Sequence, residues 1–191
     1  MDGIERHKII HQPWQKYNTT STAGFAIAHT GKSILIKFYV EEKQLNAVSR
    51  PPNDAVHKDN CVEFFLSVDN NATYYNMEFN CLGSAKIAYG AGKAGRKFLT
   101  PQLIEKIGRH LSLDVEQTIS HNKFRWTMLL DIPVSIFTVN GINNFTGLKA
   151  KGNFHKCGDD LTEPHYLTWN NINTAEPDFH QPAFFGNLIF E

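Results

Sequence analysis

The chain has 191 residues, 19 basic against 19 acidic side chains, a formal net charge of zero and an apolar fraction of 41%. That length supports a sizeable core within one domain spanning 1–191, and the balanced charge offers no excess of cations for a phosphate backbone, which sets nucleic-acid binding aside. No apolar run approaches the roughly 18 residues of a membrane-spanning helix.

The first ten residues, MDGIERHKII, lack the long apolar centre of a signal peptide. The chain therefore reads as cytoplasmic as written, or as periplasmic or extracellular if a leader has been removed. Fourteen Phe and six Tyr favour sheet over helix. Residues 7–16 suggest an edge strand that stops before Pro13. Residues 24–29 and 33–40 read as a hairpin turning at Thr30 and Gly31, with Ile34, Ile36, Phe38 and Val40 on one face. Residues 45–58 form a long polar link through Arg50, Pro51, Pro52, Asn53 and Asp54, the kind of loop on which binding residues tend to lie.

The stretch 61–81, CVEFFLSVDNNATYYNMEFNC, organises the rest. Val62, Phe64, Leu66 and Val68 alternate, and so do Tyr75, Met77, Phe79 and Cys81. Two antiparallel strands share a buried face in a register that sets Val62 near Cys81, Phe64 near Phe79, Leu66 near Met77 and Val68 near Tyr75. Glu63, Phe65, Glu78 and Asn80 then lie on the opposite face, the first candidate for function. Cys61 and Cys81 leave on different faces, so no disulfide is expected between them.

A short strand over 84–89 follows the turn Leu82-Gly83, and the glycine-rich GAGKAGRKF lacks the spacing of a phosphate-binding loop. Thr100 and Pro101 predict a short helix over 101–107. Leu111, Leu113, Val115, Gln117 and Ile119 alternate as a half-buried strand, His121-Asn122 turns, and Phe124, Trp126, Met128 and Leu130 supply the next core face. Residues 134–137 suggest one helical turn, 143–155 an extended run with Leu148, Ala150, Gly152 and Phe154 on one side, and 187–190 a last strand. Cys157, in KCGDD, has no second cysteine at metal-ligand spacing, so a zinc site is not indicated. The reading is all-β: an antiparallel, jelly-roll-like β-sandwich with short helical insertions.

KDNCVEFFLS (58–67), YYNMEFNCLG (74–83), FRWTMLLDIPVSIF (124–137), KGNFHKCGD (151–159), HYLTWN (165–170) and FHQPAFFGNLIF (179–190) together resemble carbohydrate-binding module family 9 and its relatives. The resemblance implies a β-sandwich that binds mono-, oligo- or polysaccharide without catalysis, accessory to polysaccharide breakdown and to the glycoside hydrolases that perform it. Trp169 matches one of two tryptophans that clamp a terminal sugar in such domains. Lys151 and Lys156 stand where relatives commonly carry arginine, and lysine does not reproduce a planar bidentate contact.

The expected site is a shallow surface with Trp169 as the sugar platform and Arg50, Arg96, Asn80 and Asn153 as polar partners. Two alternatives stay open. One is a glycoside hydrolase or other polysaccharide-processing enzyme using Glu63 and Glu78, which would need both carboxylates astride a glycosidic bond. The other is a haem-binding sandwich with Met77 as a ligand, testable by a Soret band. No cofactor is expected beyond a structural calcium at loops holding Asp54, Asp59, Asp159 and Asp160, which do not form the twelve-position calcium loop. Alkylation of the denatured, unreduced protein followed by mass measurement should find both Cys61 and Cys81 modified. Protection of both would contradict the face assignment.

Overall fold

A computed structural model describes residue 1, residues 3–117 and residues 122–191. Strands β1 (His7–Ile9), β2 (Thr22–His29), β3 (Ser33–Glu42), β8 (Gly108–Gln117) and β9 (Asn122–Pro133) form one antiparallel sheet in the order β1-β2-β3-β9-β8. The second sheet runs β11-β10-β4-β5-β6-β7, built from β4 (Cys61–Ser67), β5 (Tyr74–Asn80), β6 (Ala85–Gly90), β7 (Lys97–Phe98), β10 (Lys149–Gly158) and β11 (His165–Thr168), with β12 (Gly186–Ile189) also paired to β10. The two sheets pack face to face as a jelly-roll-like sandwich with short helical insertions. In the core between them Phe154 of β10 stacks on Phe25 of β2 and Phe64 of β4, at centroid distances of 3.5 and 4.7 Å.

The 61–81 hairpin keeps its expected faces but not its expected pairing. Val62 lies opposite Phe79, Phe64 opposite Met77 and Leu66 opposite Tyr75. A shift of two residues preserves the alternation, so the same side chains enter the core. The cause is the turn, which takes in Val68. The Asp69 carboxylate accepts from Ser67 Oγ at 2.9 Å, from the Thr73 amide at 3.0 Å and from the Thr73 hydroxyl. Asn70 and Asn71 adopt positive φ of 58° and 71°, a conformation asparagine tolerates better than most residues.

Two other expectations change. Helix α1 covers only Pro101–Ile104, because the chain turns after it to bury both Ile104 and Ile107 before β8 begins. Strand β8 forms, but Leu111, Leu113 and Val115 are 44%, 51% and 49% exposed rather than half-buried. They share a face with the buried Trp126 and Met128 across the ladder, so β8 is a sheet edge that overhangs the region the second sheet covers. The expected Ile119 and the turn at His121 fall outside the described residues.

At one end of the core a charged cluster ties the sheets together. Lys156 of β10, with no exposed surface, pairs with Glu42 of β3 at 3.0 Å, and Glu42 accepts from the Trp126 indole at 2.6 Å. Lys156 also meets His165 Nε2 at 3.0 Å. An ammonium only donates, so Nε2 accepts and the proton sits on Nδ1, which donates to the Glu163 carbonyl at 3.1 Å. Burial first, and Lys156 second, pull the pKa of His165 down to about 4. Between that value and the ordinary ~6.5 the unfolded chain binds the proton more tightly, so this group removes stability as pH falls through that window. Denaturant midpoints measured at pH 7 and pH 4.5 should fall more for the wild type than for His165→Gln; equal falls would show that His165 carries no such penalty.

Candidate functional site

Strands β4 and β5 are buried along their whole length on both faces. Alternation sends Val62, Phe64, Met77 and Phe79 inward and leaves a second set pointing away from the sandwich. Register places these outward side chains in rows. One row runs His155, Glu63, Glu78 and Lys86 across β10, β4, β5 and β6. A second runs Cys157, Cys61 and Asn80. Aromatic residues of the tail form a roof over them: Phe179 stacks on His155 at 4.0 Å with an interplanar angle of 8°.

Between row and roof lies a cavity of about 140 Å³, reached by Glu63, Glu78, Lys86, Arg96, Tyr166 and His180 among others. That is room for several waters, the scale of one sugar ring. Glu78 is its centre. One oxygen, Oε1, accepts from Asn76 Nδ2 at 2.8 Å. The other, Oε2, is buried without a hydrogen-bond partner among the described residues, although His57 Nδ1 and Lys86 Nζ approach to 3.4 and 3.7 Å. Arg96 Nη1 stands 3.9 Å from Oε1.

Arg96 is held by His180. A guanidinium only donates, so its 3.0 Å contact makes His180 Nε2 an acceptor and leaves Nδ1–H to donate to the Tyr74 oxygen at 2.8 Å. Burial, then the Arg96 charge, lower the pKa of His180 to about 4. Burial, then the neighbouring Glu78, push the Glu63 carboxyl well above its ordinary range, and burial likewise raises Asp159. The cavity thus joins cationic and hydroxyl donors, a carboxylate acceptor and the rings of Tyr166 and Phe179.

Of the residues expected at the site, Arg96 reaches this cavity. Arg50 instead grips Asp59 in a bidentate pair at 2.7 and 2.8 Å. Asn80 donates to Asp59 at 2.8 Å and to the Val48 carbonyl at 2.7 Å, so both pin the 45–58 link. Asn153, fully buried, clamps Asn170 through its amide and carbonyl at 3.0 and 2.9 Å. Trp169 is half-buried against the core, its ring edge-on to Phe25 and Phe154 at 5.6 and 5.7 Å. Met77 is wholly buried in the apolar interior.

His57, Tyr166, Asp178 and His180 join the cavity from segments distant in sequence, and no local spacing reveals them. Lys86 had a signal, since it follows from continuing the Glu63 and Glu78 face one strand further. Cys61, Glu63 and Cys157 also come together as a potential metal-coordinating group, their donor atoms within 4.8 Å of one another.

The family model described as "Carbohydrate-binding family 9" matches residues 1–190. A Bacteroides uniformis protein described as carbohydrate-binding is 38% identical, with a TM-score of 0.90 over 100% of this chain and 88% of its own. A family 9 carbohydrate-binding module from Caldicellulosiruptor kristjanssonii, solved in complex with glucose, is 12% identical with a TM-score of 0.60 over 100% of this chain and 85% of its own. The same organism's module in complex with cellotriose is 10% identical, with a TM-score of 0.57 over 100% and 84%. At those identities the likeness is one of fold. No curated protein matches the chain.

Proposed function

The chain belongs to carbohydrate-binding family 9, and from that premise we propose that it binds a saccharide, without transforming it, in the cavity over the outer face of the second sheet. The observation that carries this reading is the Glu78 carboxylate, which lines the cavity and has one oxygen, Oε2, without a hydrogen-bond partner among the described residues. A sugar hydroxyl is the neutral donor that would satisfy it, and a charge-assisted bond of that kind contributes about 1.5–3 kcal/mol. Arg96 and Lys86 supply donors to other hydroxyls, while Tyr166 and Phe179 offer ring surface to the apolar side of a pyranose. The small volume favours a neutral saccharide unit or a glycan end. Such binding serves as an accessory to polysaccharide-degrading enzymes.

The geometry of the two glutamates argues against hydrolysis. Glu63 and Glu78 are cross-strand partners rising from one floor, whereas a glycosidase sets its carboxylates astride the bond. Calcium is not part of this reading. Arg50 takes up Asp59 and Asp54, Lys58 takes up Asp160, and the nearest compact donor group is thiol-rich.

Calorimetry with glucose, cellotriose and an acidic oligosaccharide tests the proposal. Glu78→Gln and Arg96→Met should each weaken the bound sugar about tenfold or more, while Trp169→Phe should stay within about twofold. Absence of any interaction at millimolar concentration across neutral and acidic glycans would contradict saccharide binding. Loss on Trp169→Phe with Glu78→Gln unchanged would move the site to the Trp169 surface.

A further inference from the structure

The second outward row, together with Glu63 of the first, holds a group that sugar binding does not use. Cys61 and Cys157 are register partners on β4 and β10, so both thiols leave the same sheet face, and Glu63 follows Cys61 by two positions on that face. The two sulfurs and a Glu63 oxygen lie within 4.8 Å of one another, and all three residues are buried. In this arrangement the Cys157 thiol donates to Glu63 Oε1 at 3.4 Å and approaches the His57 carbonyl at 3.8 Å, while the Cys61 thiol lies 3.6 Å from its neighbour's carbonyl and is in hydrogen-bond contact with the Cys157 thiol. Cys81 lies in the core between the sheets, away from this cluster.

Zinc bonds of about 2.3 Å to sulfur and 2.0–2.2 Å to oxygen put two sulfurs and one oxygen in tetrahedral positions roughly 3.5–3.8 Å apart, within the separation this group already allows. Thiolates select zinc over calcium or magnesium. Three protein donors would leave one tetrahedral position open, and Cys157 and Glu63 both line the cavity, from which a water or other oxygen ligand could enter. Three anionic donors around a dication leave one negative charge, and the cations Lys86 and Arg96 stand on the same face beside Glu78.

We propose that Cys61, Cys157 and Glu63 form a zinc site in the floor of the cavity, with its fourth position open to the cavity. The site stands whether or not the cavity takes a sugar.

The full chain, reduced and stripped with a chelator, is titrated with Co²⁺ and then Zn²⁺. One equivalent of Co²⁺ should produce a thiolate-to-metal charge-transfer band that Zn²⁺ abolishes, and Zn²⁺ should protect two of the three thiols from alkylation. Cys61→Ser and Cys157→Ser should each lose the band, Cys81→Ser should keep it, and Glu63→Gln should keep it while weakening Zn²⁺ about tenfold or more. If the serine variants fail to fold, the wild-type band and the count of protected thiols decide. Absence of both in folded, reduced protein overturns the proposal. So does a metal-free Cys61–Cys157 disulfide in the protein as isolated, or unchanged binding in a folded Cys157→Ser variant.

Discussion

The constraint on which the rest depends is that the central strands of the second sheet are buried on both faces. One face is apolar and meets the opposite sheet; the other carries Glu63, Asn76, Glu78, Asn80, Asn153 and His155, all nearly or wholly buried. A buried polar group left unpaired costs about 1–3 kcal/mol, so the loops crossing this face must supply partners. They do so unevenly. Asp59, Arg50 and Asn80 close a network at one end and Asn153 clamps Asn170 nearer the other. Between them Asn76 Oδ1, Glu78 Oε2 and both ring nitrogens of His155 have no hydrogen-bond partner among the described residues. His155 stays neutral there, its pKa held well below the usual value chiefly by burial.

Strand β10 serves both faces at once. Phe154 and Lys156 point inward, to the aromatic stack and to Glu42; His155 and Cys157 point outward, to the roof and to Glu63. A one-residue slip would exchange these sets. The buried Lys156–Glu42 pair opposes such a slip, since separating one buried charge from its partner costs about 3–5 kcal/mol. Gly152 constrains the same strand, because a Cβ there would lie 2.5 Å from the Phe65 carbonyl oxygen. Positioning of the cavity floor therefore rests on contacts made on the far side of the sheet.

Much of this was legible in the sequence because alternation is a local signal. The inward faces of β3, β4, β5 and β9 follow from their periodicity, and so does the surface of Glu63 and Glu78. Pairing was less legible, because the carboxylate of Asp69 shortens β4 and shifts its partner by two residues while leaving the faces unchanged. The exposure of Leu111, Leu113 and Val115 escaped because periodicity reports which residues share a face, not whether a second sheet covers it. The lining of the cavity was half legible. Arg96 and the glutamates could be named, but His57, Tyr166 and His180 arrive from a short helical turn, a strand and the tail. The thiol pair was invisible to spacing rules, since its members are 96 positions apart and meet only through the β4–β10 ladder.

Assignment of the saccharide to the roofed outer face rather than to the Trp169 side of the sheet is tested most directly by amide and side-chain NMR shifts during titration with a cello-oligosaccharide. Shifts should concentrate at His57, Lys86, Arg96, Tyr166 and His180 and spare the Phe25–Trp169 contact. Shifts centred on Trp169 and its neighbours, with the cavity residues unmoved, would contradict it.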